Sequence, residues 1–329
     1  EAPFVWEAKT YSIGCSIGIV PITANSTDGA SLLQAADSAC QMAKEQGRNR
    51  IVLTHQGDEE LAARRNQLEW LGRIRGALKH EKLFLEAQQI VPINRSPSLR
   101  VEVLVRMLGD DNQVILPGAF LPAAERFGLA HLLDRWVIKT VCAFLSQNRS
   151  AMEYLEACHI NISGRSFDHE DFTQFVLNTL ANYKVPGNKL CFEITETAAI
   201  SNLTDVQQFM TTLSEAGASF ALADFGVGLS SFAYLKQFPV EYLKIDGSFV
   251  RHMAKDKTDR AMVRAINDIG QTLGKQLVAE FVEDQESLEW LKKMGVQYAQ
   301  GFHLHRPERF EQVLETPAGH ASVISESND

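Results

Sequence analysis

Residues 219–246 read SFALADFGVGLSSFAYLKQFPVEYLKID. The apolar run Phe220–Ala223 closes on Asp224, and Gly226 and Gly228 then let the backbone turn tightly or approach a ligand. The second run, EYLKID (241–246), also closes on an acid, Asp246. One acid at the end of a strand is ordinary. A series of strand-like runs that all close on polar residues asks for a common explanation.

From residue 84 onward such runs alternate with helical ones. The strand-like runs are FLEAQQIV, VEVLVRM, HINI, KLCFEI, SFALAD, EYLKID, KQLVAE and VQYAQG. Segments with helical periodicity lie between them, among them PAAERFGLAHLLDRWVIKTVCAFLSQ and LTDVQQFMTTLSEAG. This alternation predicts an α/β fold of the (β/α)8, TIM-like barrel type, with a doubly wound open sheet as the second choice. Upstream, residues 1–55 carry a strand-like YSIGCSIGIV, a helical ASLLQAADSACQMAKEQG and a short NRIVL strand, too little for a complete domain. A helical linker is expected over 56–80, with Leu61, Leu68, Leu71, Ile74 and Leu78 on one stripe. The barrel is expected over 81–315, and the small, polar residues 316–329 read as a disordered tail.

The bulk composition narrows the partners. The hydrophobic fraction of 45% and charged fraction of 22% are those of a globular protein. A formal net charge of -9 argues against broad nucleic-acid or anionic-membrane binding, while leaving room for a local phosphate site. The 5 cysteines form no CxxC pair, which favours reduced thiols, a cytoplasmic setting and no zinc site. The opening EAPFVWEAKT has no signal-peptide pattern and reads as part of something longer.

On a barrel, function gathers at the C-terminal ends of strands. Those ends carry Asn161, Glu193, Asp224, Asp246, Glu280 and Gln300, with Lys244 just before Asp246 and Glu102 and Arg106 in the second run. Carboxylate and amide oxygens without His or Cys suit a hard cation such as Mg²⁺ or Mn²⁺. Arg106 and Lys244 suit a phosphate or a metal-bound water. Singly, Asp224 and Glu280 could cap following helices, Asp246 a turn, and Asn161 an Asx-turn. His131, His159, His303 and His305 show no ligand spacing.

In order along 61–315, EVLVRM (102–107), ILPGAFLPAAERFGL (115–129), NIS (161–163), FEITET (192–197), ADFGVGLSSFAYLK (223–236), YLKIDGSFV (242–250), AEFVE (279–283) and QGFHLHRP (300–307) resemble the EAL domain family. That resemblance implies a barrel that binds and hydrolyses the bacterial second messenger cyclic di-GMP with Mg²⁺ or Mn²⁺. Residues 1–55 are similar to the C-terminal end of a GGDEF domain, without its signature. By the same resemblance, Glu102, Asn161 and Glu193 match metal ligands. Glu280 matches the second-metal or general-base glutamate, and Lys244 the lysine near the attacking water. Gln88, Arg106, Asp224 and Gln300 match positions around the nucleotide, Arg106 through a phosphate, and Glu196 supports the loop after SFALAD.

The departures matter as much as the matches. Where the family has DDFGTG this chain has Ala223, so the ligand expected to bridge two cations is a methyl; Thr has become Val227 in the same loop. Asp224 would point the other way if 220–224 is extended. Phe281 replaces a glycine and is expected to crowd the site, and Gln89 replaces a proline. The resemblance with these departures implies a degenerate EAL domain serving as a cyclic di-GMP receptor or regulatory module, with a metal needed only if activity survives. The alternatives are a weak metal-dependent phosphodiesterase giving linear pGpG and a purely structural platform that binds neither nucleotide nor metal. A protein partner or a homodimer through the barrel is a further expectation carried by the family.

Overall fold

The computed structural model describes residues 4–6, 9–11, 15–23, 29–45, 49–53, 69–93, 98–109, 111–227 and 235–315. The chain falls into two compact units, Glu1–Arg73 and Ile74–Asp329. The expected tail 316–329 and residues 56–68 of the expected linker lie outside the described residues.

In the first unit Phe4–Trp6 pairs antiparallel with Lys9–Tyr11. Ile17–Ile19 pairs parallel with Ile51–Leu53, and the helix Gly29–Glu45 makes the crossover that a parallel pair requires. That helix buries Ala35, Ala39 and Ala43, a small-residue stripe spaced one turn apart.

The second unit begins on a helix whose residues Ile74 and Ala77 are buried. Its strands are β1 (Leu83–Gln89), β2 (Val91–Pro92), β3 (Leu99–Leu108), β4 (Val114–Ile115), β5 (Leu155–Asn161), β6 (Leu190–Thr195), β7 (Ser219–Phe225), β8 (Tyr242–Ile245), β9 (Gln276–Ala279), β10 (Tyr298–Ala299) and β11 (Glu308–Arg309). Neighbours from β3 through β5, β6, β7, β8, β9 to β10 pair parallel in that order. β1 pairs with β3, and β2 pairs with β10. Only Ile90 separates β1 from β2, so the sheet path returns to the segment from which it started and the ring closes. A doubly wound open sheet is thereby excluded.

One feature corrects a regular (β/α)8 barrel: β1 and β2 run antiparallel to their neighbours. The reason is the connection. Residues 90–98 hold no room for a crossover helix, and strands joined that closely pair as a hairpin. Among the described residues helices make other crossovers, as Leu203–Glu215 does between β6 and β7 and Lys257–Thr272 between β8 and β9.

Side-chain alternation assigns the two faces of the ring. Outward residues such as Phe192, Phe220, Leu222 and Leu243 pack with the surrounding helices in the main core. Inward residues Ile90, Ala157, Cys191, Ala221, Tyr242, Val278 and Tyr298 fill a second, separate cluster. Two residues beyond that inward layer, on the same face, come Glu193, Ala223, Lys244, Glu280 and Gln300. Among the described residues no helix is long and apolar enough to cross a membrane.

Candidate functional site

The strand ends converge on one ammonium. Lys244 is 1% exposed, and its Nζ donates to Glu102 Oε2 at 2.8 Å and Glu193 Oε2 at 2.6 Å and meets Glu280 Oε1 at 2.7 Å. Asn161 Nδ2 donates to Glu102 Oε1 at 2.7 Å. Gln300 Nε2 donates to Glu102 Oε2 at 2.7 Å and to Gln88 Oε1 at 3.0 Å, and Gln88 Nε2 donates to the His305 carbonyl at 2.8 Å. Gln88, Glu102, Glu193, Lys244 and Gln300 thus meet in one buried polar network at the strand ends, joined by the partly buried Glu280 and the exposed Asn161.

One ammonium cannot balance three carboxylates in a dry site. Burial acts to raise the Glu102 carboxyl, but Lys244, with Asn161 and Gln300 as donors, holds it at about 2. Burial prevails at the other two, pushing Glu193 up to about 8 and Glu280 up to about 7 against the pull of Lys244. Burial also works against the Lys244 charge, yet Glu102, Glu193 and Glu280 together keep its pKa well above the ordinary lysine range.

The same donors suit a hard cation. One oxygen from each of Glu102, Glu193 and Glu280 lies within 4.8 Å of the others. The Gln300 carbonyl oxygen beside them is buried without a hydrogen-bond partner. Such a set of oxygens is of the kind that an oxygen-loving ion takes. At the β7 position of this polar layer the residue is Ala223, paired with Thr195 and buried, and a methyl offers a cation nothing.

The flanking residues depart from the extended geometry expected of them. Asp224 sits in the left-handed region at φ 54, where the pairing of β7 with β8 shifts register between Leu222 and Phe225. Its carboxyl therefore does not follow strand alternation away from the site. Partial burial and the nearby Asp246 raise its pKa, and its charge is felt at Glu193. Phe281 is likewise left-handed at φ 53 and is 45% exposed. Its ring packs on Gly247 and lies 4.2 Å from the Arg251 guanidinium, so it stands on the rim and does not crowd the carboxylates. Val227 is exposed. Glu196 Oε2 accepts the Gly226 N–H at 3.3 Å, at the root of the loop after β7. Arg106 lies four residues beyond Glu102 on the same strand face, and its Nε donates to Glu86 at 2.8 Å.

His159, which shows no ligand spacing in the sequence, reaches the site, and Arg100 reaches His159. His159 Nδ1 lies 2.6 Å from Glu193 Oε1, and Arg100 lies against its other ring nitrogen. The period-2 offset of His159 from Asn161, and of Arg100 from Glu102, was the available signal.

A closed α/β barrel with an acidic, lysine-centred pocket at its strand ends is the class this geometry defines. Residues 71–307 match the EAL domain, and the chain belongs to that family. It is 38% identical over 306 residues to the cyclic di-GMP phosphodiesterase PdeB of Shewanella oneidensis, covering 93% of this chain and 36% of that protein. It is 34% identical over 322 residues to the bifunctional diguanylate cyclase/cyclic di-GMP phosphodiesterase MucR of Pseudomonas aeruginosa, covering 96% of this chain and 46% of that one. The chain therefore spans less than half the length of these two relatives. Among solved structures, the PaMucR phosphodiesterase in complex with c-di-GMP superposes with TM-score 0.71 at 33% identity, covering 74% of this chain and 99% of that one. The FimX EAL domain of Xanthomonas citri in complex with c-di-GMP gives 0.69 at 26% identity, covering 76% and 97%.

Proposed function

We propose that this chain is a cyclic di-GMP-binding EAL domain that acts as a receptor or regulatory module, with phosphodiester hydrolysis lost or very weak. One observation carries the reading. In a layer where β6, β8, β9 and β10 present Glu193, Lys244, Glu280 and Gln300, β7 presents the methyl of Ala223. Divalent cations bound there would supply an activated hydroxide and stabilise the developing charge. Glu102, Asn161 and Glu193 would hold them, and the further carboxylate that the family resemblance calls for is missing at Ala223. Losing even an outer partner of a metal ligand costs ~10–100-fold, so losing a direct ligand costs more.

In this reading Gln88, Gln300, Asp224 and Arg106 hold the nucleotide, Arg106 after exchanging Glu86 for a phosphate. Glu196 steadies the loop through the Gly226 N–H. Residues 1–55 are read as the end of a GGDEF domain, a reading supported by the match to the bifunctional MucR, which runs over 96% of this chain. The phosphodiesterase reading has its own support in the Glu102, Glu193 and Glu280 cluster and in the relatives' names. There Mg²⁺ or Mn²⁺ is required, Glu280 takes a proton from water, and Lys244 stabilises the developing charge.

Calorimetry with cyclic di-GMP, run with and without Mn²⁺, and chromatography for linear pGpG separate the two. The expected result is metal-independent binding without product, and tighter Mn²⁺ uptake by Ala223→Asp. Mn²⁺-dependent pGpG formation that Glu102→Ala abolishes would establish the enzyme instead.

A further inference from the structure

Directly beneath the carboxylates a buried cation reaches Glu193 through an imidazole. Arg100, two residues before Glu102 on β3, is 2% exposed. Its guanidinium carbon lies 4.5 Å from the Tyr242 ring centroid and 5.0 Å from that of Tyr298. One terminal nitrogen donates to Glu156 Oε1 at 2.5 Å, and Glu156 also accepts from the Ser98 hydroxyl. The other terminal nitrogen lies 3.0 Å from His159 Nε2.

Chemistry fixes the direction of each bond. A guanidinium has donors and no acceptor, so His159 Nε2 must present its lone pair. An imidazolium would oppose N–H to N–H across that contact. The single ring proton then sits on Nδ1, 2.6 Å from Glu193 Oε1, and Glu193 accepts it. The remaining oxygen, Oε2, faces the Lys244 ammonium at 2.6 Å.

We propose that Arg100 and His159 are positioning residues for Glu193: Arg100 locks the Nδ1–H tautomer, and that N–H pins Glu193 Oε1 so that Oε2 faces the centre shared with Glu102 and Glu280. A carboxylate held at one oxygen cannot rotate its other oxygen out of the site, which is how outer partners tune metal ligands. The inference rests on reading Glu193 as part of a cation-holding set, a set that both functional readings retain.

The test uses the full chain labelled with ¹⁵N-histidine, together with Mn²⁺ calorimetry. His159 is expected as the Nδ1–H tautomer, and Arg100→Met is expected to move the Nε2 resonance, which loses its hydrogen-bond donor. Mn²⁺ affinity should fall at least tenfold in His159→Leu. It should stay within about threefold of the parent in His159→Asn, whose amide N–H replaces Nδ1–H. An Nε2–H tautomer in the parent protein overturns the proposal, as does a folded His159→Leu with unchanged Mn²⁺ affinity. If the parent takes up no Mn²⁺, it is the cation reading of the pocket that fails. The positioning claim is then judged by the spectrum alone, and an Nε2 resonance unmoved by Arg100→Met overturns it.

Discussion

Glu193 and Glu280 face the same ammonium as Glu102 but lie on the other side of a protonation balance. Their native pKa values of about 8 and about 7 stand above the ordinary carboxylate value of 4.5, whereas that of Glu102 is depressed to about 2. For a raised carboxyl the native state holds protons that the unfolded chain has already released. Stability from this pair is therefore full below pH ~4.5 and falls as pH rises towards ~8. Glu102 acts in the opposite sense, losing its contribution as pH drops from ~4.5 towards ~2. Lys244, raised further, loses its contribution only above the ordinary lysine range. Urea unfolding between pH 5 and 8.5 should thus show declining stability. Glu193→Gln, which cannot ionise, should flatten that decline by about one proton. Identical pH profiles in the two proteins would mean that Glu193 is ionised throughout. Mn²⁺ binding at pH 6.5 should correspondingly release protons, read as a buffer-dependent heat.

The strands that present these groups were largely visible in the sequence. Apolar runs such as KLCFEI and SFALAD coincide with β6 and β7, because residues facing a packed interior on one side and helices on the other are apolar throughout. The antiparallel start of the ring was also visible, in the few residues between FLEAQQIV and VEVLVRM, although the alternation over the rest of the barrel concealed it. The left-handed turns at Asp224 and Phe281 were not legible. Neither residue is glycine, so no residue type marks the reversal that keeps an acid near the site and turns a ring to the rim. The Arg106–Glu86 pair was equally hidden, since it depends on register across the β1–β3 hairpin. The β10 end has a mark of its own in Gly301, which follows Gln300. A Cβ on Gly301 would stand 2.1 Å from the Val282 carbonyl oxygen and 2.3 Å from its nitrogen. Backbone cannot yield as a flexible side chain does. Gly301→Ala should cost ~1–3 kcal/mol in urea unfolding and weaken cyclic di-GMP binding by displacing the Gln300 amide. A variant with the stability and affinity of the parent would show that this strand end is free to shift.

Every side chain of the proposed site comes from the second unit, and so does the core beneath it. The barrel encloses its inward cluster, and its outward faces are covered by its own helices. The first unit is built differently. Its parallel pair leaves Ile17, Ile19, Ile51 and Leu53 exposed, and among the described residues its buried helical positions are alanines, which bury little area each. A unit of that size and composition is expected to contribute little cooperative stability, whereas one the size of the barrel can fold by itself. Residues 69–315, produced alone with the helix that opens the barrel intact, should therefore unfold in a single urea transition. They should bind cyclic di-GMP within about threefold of the full chain, by calorimetry under one buffer and salt. Residues 1–55 alone should show no cooperative transition. A barrel that folds but binds more than tenfold more weakly would assign part of the ligand affinity to the first unit. The receptor would then be the whole chain, and regulation would have to be sought in how that unit alters the pocket.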